Sequence, residues 1–255
     1  MEISLEGRVA IVTGGGSGLG RGYAEALAGA GAAVAVTGRR REPLDECVAE
    51  IQKEGGSALA VPCDARSREE VEAGVQKVVD WKEKVDILVN NAGIYPPGPF
   101  ISVEESQWTD VMDTNINGPF RFSQACARIM SQHGWGRIIN ILSPSALLGF
   151  AMVSAYGTSK GALASMTRTM AAELGPMGIT VNALTPGVSA TEKFVELYSE
   201  MGVSLMSKGL PLARACVGDD TVGALLLLAS EAGSYITGAN ICVDGGMTTT
   251  FSLGA

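Results

Sequence analysis

The stretch 8-RVAIVTGGGSGLGRGYAEALAGAGAAVAVTGRR-40 decides the fold. Residues 8–14 are an apolar run ending in glycine, the pattern of a buried strand. Residues 20–31 read as a helix and 32–38 as a second strand. A strand, a glycine-rich turn, a helix and another strand form a βαβ unit, whose two strands run parallel. In the turn, glycine stands at 14, 15, 16, 18 and 20, a spacing that departs from GxGxxG. Glycine permits positive φ and close approach of a ligand, and the N-terminus of the following helix offers unpaired N–H groups to a pyrophosphate. Gly14, Ser17, Gly18, Leu19 and Gly20 are therefore candidate dinucleotide contacts. A merely tight turn is the alternative, weakened by the turn's place after the first strand.

The alternation continues to the end of the chain. Helices are predicted over 42–55, 68–81, 104–132, 154–175 and 219–230, and strands over 57–64, 85–93, 136–143, 178–187 and 240–246, with an irregular or helical insert at 190–209. The strands are continuous apolar runs, as strands covered on both faces must be. The expected fold is α/β, a doubly wound Rossmann-type parallel sheet with helices on both faces. No repeat, low-complexity tract or linker divides it, so residues 1–255 are read as one domain. Ligands of such sheets bind at the carboxyl ends of the strands.

At the second strand end the carboxylate that would bind a ribose 2′-hydroxyl is absent. Gly38 leaves room there, and Arg39-Arg40-Arg41 follow. A guanidinium suits a 2′-phosphate, so the cofactor reading is NADP, with Arg39 and Arg40 as candidate contacts. NAD, with the arginines solvated, stays open.

The composition excludes other classes. Of 255 residues 46% are hydrophobic and 18% charged, enough for a core. The net charge of −8 argues against nucleic acid or an anionic membrane as partner. The apolar runs are too short to span a bilayer, and the N-terminus lacks the pattern of a signal peptide. Five cysteines without CxxC spacing point to reduced, mostly buried thiols in a cytoplasmic protein. The single histidine, His133, is expected at a helix end on the surface, and no cluster suggests a metal.

Thr13-Gly14, Gly18, Gly20, Asn90-Asn91-Ala92-Gly93, Ser143, Tyr156-xxx-Lys160, Pro186-Gly187 and Val243-Asp244-Gly245-Gly246 occur in this order. In this the chain resembles the short-chain dehydrogenase/reductase superfamily in its compact form, over nearly its whole length. The resemblance implies a seven-stranded parallel sheet and a catalytic set of Asn115, Ser143, Tyr156 and Lys160. It implies that Asp64 touches the adenine and that Asn91, Ala92 and Gly93 form the cofactor-side loop. Tyr156 and Lys160 would also touch the cofactor, and Pro186, Gly187, Val188 and Thr191 would hold the carboxamide. It further implies a homotetramer built through the long helices and the C-terminal region, with "TTTFSLGA" (248–255) a candidate to reach a neighbouring subunit.

The chemistry fits. Tyr156 and Lys160 are one helical turn apart, about 5–6 Å between Cβ atoms. A tyrosine pKa near 10 is too high for a base at neutral pH, and an adjacent ammonium lowers it. Lys160 is therefore expected to make Tyr156 more acidic. Ser143 would donate to the substrate oxygen as charge develops. Asn115 would link Lys160 to solvent through water. Pro144 restricts Ser143 to extended backbone. Segment 189–210 is expected to cover the substrate. Its Phe194, Val195, Leu197, Tyr198, Met201, Val203, Leu205 and Met206, with Tyr95, Phe150 and Met152, suggest a pocket for an apolar or cyclic ketone or alcohol; packing against the body of the fold is the alternative. The expected activity is hydride transfer between NADP(H) and a carbonyl or secondary alcohol. The rivals are an NAD-dependent alcohol dehydrogenase and a non-catalytic dinucleotide sensor.

Overall fold

A computed structural model describes residues 3–249. Seven strands, β1 (Val9–Thr13), β2 (Ala33–Gly38), β3 (Ser57–Pro62), β4 (Ile87–Asn90), β5 (Gly136–Ile141), β6 (Ile179–Pro186) and β7 (Asn240–Val243), form one sheet in the order β3-β2-β1-β4-β5-β6-β7. Every pairing is parallel. The chain winds outward from β1 to β3, then restarts at β4 and winds the other way. The crevice where this direction reverses, above β1 and β4, is where such sheets bind ligands.

Successive side chains of a strand point to opposite faces, and β1 shows why its sequence is apolar throughout. Ala10 and Val12 pack with Tyr23 and Leu27 of α1 (Gly18–Gly29), Leu44 and Ile51 of α2 (Arg41–Lys53) and Leu225 and Leu228 of α8 (Gly218–Ala229). Val9 and Ile11 pack on the other side with Val71, Val75 and Val78 of α3 (Arg68–Lys82), Phe122 and Met130 of α5 (Gly118–His133) and Ala171 of α6 (Ser154–Leu174). The helices stop where the chain directs: α3 starts under Ser67, whose hydroxyl accepts from Glu70 N–H, and α5 ends at Gly134 with φ 65°.

One expectation changes. The helix read over 104–132 is broken: α4 (Glu105–Met112) and α5 are joined by a π-helical turn, Asp113–Asn117. Pro119 supplies the cause. It lacks the N–H that an α-helix would aim at the Asn115 carbonyl, and its ring crowds that carbonyl, so the preceding turn widens. The insert is helical, α7 (Glu192–Lys208), but is interrupted at Ser199, with φ 60° and ψ 161°. His133 is the exposed last residue of α5, and the five cysteines are free, four of them buried. No helix among the described residues is long and apolar enough to cross a membrane. Residues 250–255 of the C-terminal segment lie outside the described residues.

Candidate active site

The turn after β1 is shaped by contacts that only glycine allows. Gly14 has φ 66°, and its N–H donates to the Thr37 carbonyl (2.7 Å). A Cβ on Gly20 would run into the Gly14 carbonyl and the Asn91 amide. The turn therefore folds against the start of α1, with Ser17 and Gly18 exposed at its tip. Thr13 and Asn91 brace it. Asn91 Nδ2 donates to the Thr13 carbonyl (3.0 Å), and the N–H groups of Asn91 and Ala92 donate to Thr13 Oγ1 (3.0 Å each). The structure thus gives Asn91 a strut's position that its motif did not disclose. Thr13, which belongs to the same brace, was not among the candidate contacts.

The segment after β6 lies over this turn. A Cβ on Gly187 would meet Asp244 Cα at 2.7 Å, so no larger residue fits between β6 and the turn after β7. Val188 is tied to Cys216 by the Cys216 N–H (2.7 Å), and Thr191 begins α7 within contact distance of Gly18. Gly18, Leu19, Ser189, Thr191 and Gly218 line one cleft. After the end of β2, Arg39 and Arg40 are exposed and make no ion pair among the described residues, whereas Arg41 pairs with Asp45 along α2 (3.1 Å). Asp64 is held by Arg66 (2.8 Å), which keeps its carboxyl below the usual range. Arg66 was not anticipated; its position two residues on was the only signal.

Asn115, Ser143, Tyr156 and Lys160 come together at the carboxyl ends of β4 and β5. The π turn points Asn115 inward, fully buried. Its Oδ1 accepts from Ile94 N–H (2.9 Å), and its Nδ2 donates to the Ile94 carbonyl (3.0 Å) and to Ser159 Oγ (3.0 Å). Ser159 in turn donates to the Tyr156 carbonyl (2.7 Å). Asn115 therefore clasps the loop after β4 onto α6, and Ser159, absent from the candidates, completes the clasp. Gly93 keeps the space between them open: a Cβ there would lie 3.3 Å from Asn115 Oδ1 and 3.8 Å from Lys160 Nζ. Ser143 is extended (φ −163°, ψ 156°), as Pro144 dictates.

Burial governs the electrostatics of the Tyr156–Lys160 pair. Burial pushes the Tyr156 phenol above its ordinary value, and its hydrogen bond with Ser143 pulls the other way. Lys160 is 4% exposed, its Nζ donates to the Ile141 carbonyl (2.7 Å), and burial draws its pKa down to about 8. Its Nζ lies 5.6 Å from the Tyr156 ring centroid. Burial is the first cause of both shifts, because charge is costly to bury.

The expected apolar pocket divides. Tyr95 stands edge-on to Tyr156 (centroids 4.7 Å apart), its hydroxyl meets that of Tyr198 (2.7 Å), and Phe194 packs on Tyr198 (4.7 Å). Val203 is buried, whereas Leu197, Met201 and Leu205, four apart on α7, face outward, and Phe150 and Met152 are also exposed. No group of three or more potential metal ligands occurs among the described residues.

A doubly wound sheet with a glycine turn on its first strand and this tyrosine and lysine on α6 defines a class of dinucleotide-dependent oxidoreductases. The family model of short chain dehydrogenases matches residues 8–202, and the chain belongs to that family. It is 38% identical over 244 residues to the short-chain reductase protein NovJ of Streptomyces niveus, covering 93% of each chain. It is 36% identical to the gluconate 5-dehydrogenase of Gluconobacter oxydans, covering 97% of each. Among solved structures, a gluconate 5-dehydrogenase from Burkholderia cenocepacia in complex with NADP and tartrate superposes with a TM-score of 0.93, at 33% identity over 98% of each chain.

Proposed function

We propose that this oxidoreductase transfers hydride between NADP(H) and an uncharged apolar or cyclic carbonyl compound or its secondary alcohol. The observation that carries the reading is the convergence of Tyr156, Ser143 and Lys160 beside a turn that a Cβ would fill. Gly14, Ser17, Gly18, Leu19 and Gly20 would hold the pyrophosphate. Arg39 and Arg40 would hold the 2′-phosphate, Asp64 would border the adenine, and Ala92, Gly93, Pro186, Gly187, Val188 and Thr191 would border the nicotinamide half. The NADP in the complex of the Burkholderia relative supports the same cofactor.

When bound, the dinucleotide supplies or accepts the hydride. The chain's own part is the proton. Burial keeps the Tyr156 phenol protonated at neutral pH, the state that can donate to a carbonyl oxygen as it gains charge. The Ser143 hydroxyl, fixed by an extended backbone, stabilises that oxygen. Lys160, with a pKa of about 8, can return a proton to Tyr156 near neutral pH. Asn115 positions the loop after β4 against α6. Segment 189–210 covers the substrate, and the exposed Phe120 on α5 supports assembly into a homo-oligomer through that helix.

Tyr156→Phe tests the reading. NADPH binding, followed by nicotinamide fluorescence, should persist, while reduction of cyclic ketones falls by about 10²–10⁴-fold. Turnover that survives the substitution would remove Tyr156 from the mechanism. NADPH binding by both proteins with turnover by neither would favour a non-catalytic sensor.

A further inference from the structure

Tyr95 follows β4 and Tyr198 lies on α7, 103 positions apart, yet their hydroxyls meet at 2.7 Å. Two phenols sharing one hydrogen bond use one proton and one lone pair between them, which leaves a second proton and further lone pairs for a ligand. The Tyr95 ring stands at 82° to Tyr156, the residue assigned the proton, and Phe194 extends the aromatic wall against Tyr198. The surrounding rim is uncharged: residues 94–103, 143–155 and 186–191 contain no Asp, Glu, Lys or Arg.

We propose that Tyr95 and Tyr198 form a specificity-determining clamp. The Tyr95 ring and Phe194 hold a ring-shaped, uncharged substrate beside Tyr156. The hydroxyl pair binds a second neutral oxygen of that substrate, away from the reacting carbon. The clamp rests on the oxidoreductase reading above. Its wall offers aromatic faces and hydroxyls, which suit a neutral ring better than an anionic open-chain sugar acid, whose carboxylate needs a cation. A site built to hydrogen-bond a substrate hydroxyl discriminates strongly against an analogue lacking it, because its own polar groups are then left unpaired.

The test compares three probes with NADPH: cyclohexanone, a hydroxycyclohexanone with the hydroxyl across the ring, and a keto-gluconate. The wild type should favour the hydroxylated ring over the bare ring by about tenfold or more in kcat/KM, carried by KM, with the keto acid poorest. Tyr198→Phe and Tyr95→Phe should each bring the ratio of the two ring ketones to within about twofold. Unaltered cofactor binding by nicotinamide fluorescence shows that the variants fold. A ratio that neither substitution moves, or a preference for the keto acid, overturns the clamp while leaving the oxidoreductase reading intact. A wild type that binds NADPH and reduces none of the probes overturns both.

Discussion

Lys160→Met should stabilise the protein at neutral pH while silencing it. Lys160 is 4% exposed, and burial draws its pKa from 10.5 to about 8. The unfolded chain holds the lysine proton up to its ordinary pKa, whereas the folded chain releases it near 8. The wild type therefore carries a folding penalty that is complete below that pH. The penalty shrinks as pH rises from 8 to 10.5 and is gone above it. At about 1.4 kcal/mol per pKa unit the full penalty is ~3 kcal/mol. Methionine removes it but forfeits the hydrogen bond to the Ile141 carbonyl, a loss of about 1–3 kcal/mol. Near pH 7 the variant should gain about 1 kcal/mol, and near pH 10 it should be the less stable of the two by a similar amount. The change between the two conditions, ~2.5 kcal/mol, is independent of the hydrogen-bond term, because that term cancels. Urea unfolding of both proteins at the two pH values measures it directly. A stability difference that is the same at both would mean that Lys160 titrates like a solvated amine, and the account of its burial would fail.

Arg39→Ala should weaken NADPH binding by about tenfold and leave NADH unchanged, since only the former carries the phosphate a guanidinium grips; equal effects on both in a fluorescence titration would return the site to NAD. Gly20→Ala forces a methyl group into the Gly14 carbonyl and the Asn91 amide, so NADPH affinity should drop by at least about tenfold and stability by ~1–3 kcal/mol. Unchanged binding would show that the turn is not the pyrophosphate cradle. Ser199→Gly relieves φ 60°, ψ 161°, a region that is essentially glycine's, and should raise stability by ~1 kcal/mol in thermal unfolding. A fall would mean that the hydrogen bond from Gly202 N–H to the Ser199 hydroxyl outweighs the strain.

The sheet was readable because a strand buried on both faces has no polar side to hide it, and β1 through β6 announce themselves as apolar runs. The pairing of Tyr156 with Lys160 was readable because one helical turn fixes it locally, whereas the place of Ser143 beside them was implied by the family resemblance. What lay beyond reach depended on distance along the chain or on sums over the surroundings. The contact of Tyr95 with Tyr198 joins two segments that carry no mutual signal. Asn91 looked like a ligand contact and is also a brace for Thr13 and Gly14, which only the crossing of two loops reveals. The burial that shifts both Tyr156 and Lys160 is a sum over the surroundings that their spacing does not carry. The break between α4 and α5 was legible in principle, since Gly118-Pro119 sits in mid-run, but a proline near a helix start looks the same as one that widens the turn before it.

That widened turn has a genetic consequence. A π turn is a helix carrying one residue more than its neighbours need. Delete one residue between Asp113 and Asn117 and the surplus vanishes: Pro119 still bars a regular helix, but α5 loses its register with α4, and the position now held by Asn115 rotates away from Ile94 and Ser159. Every motif elsewhere would still be intact, and the sheet would have no reason to misfold. Here the link between scaffold and chemistry is spelled in chain length as much as in residue type. A single-codon deletion is therefore the smallest lesion expected to leave a well-folded dinucleotide binder with a disordered proton site. In a homologous sequence a one-residue gap at this place would mark lost turnover more plainly than many substitutions.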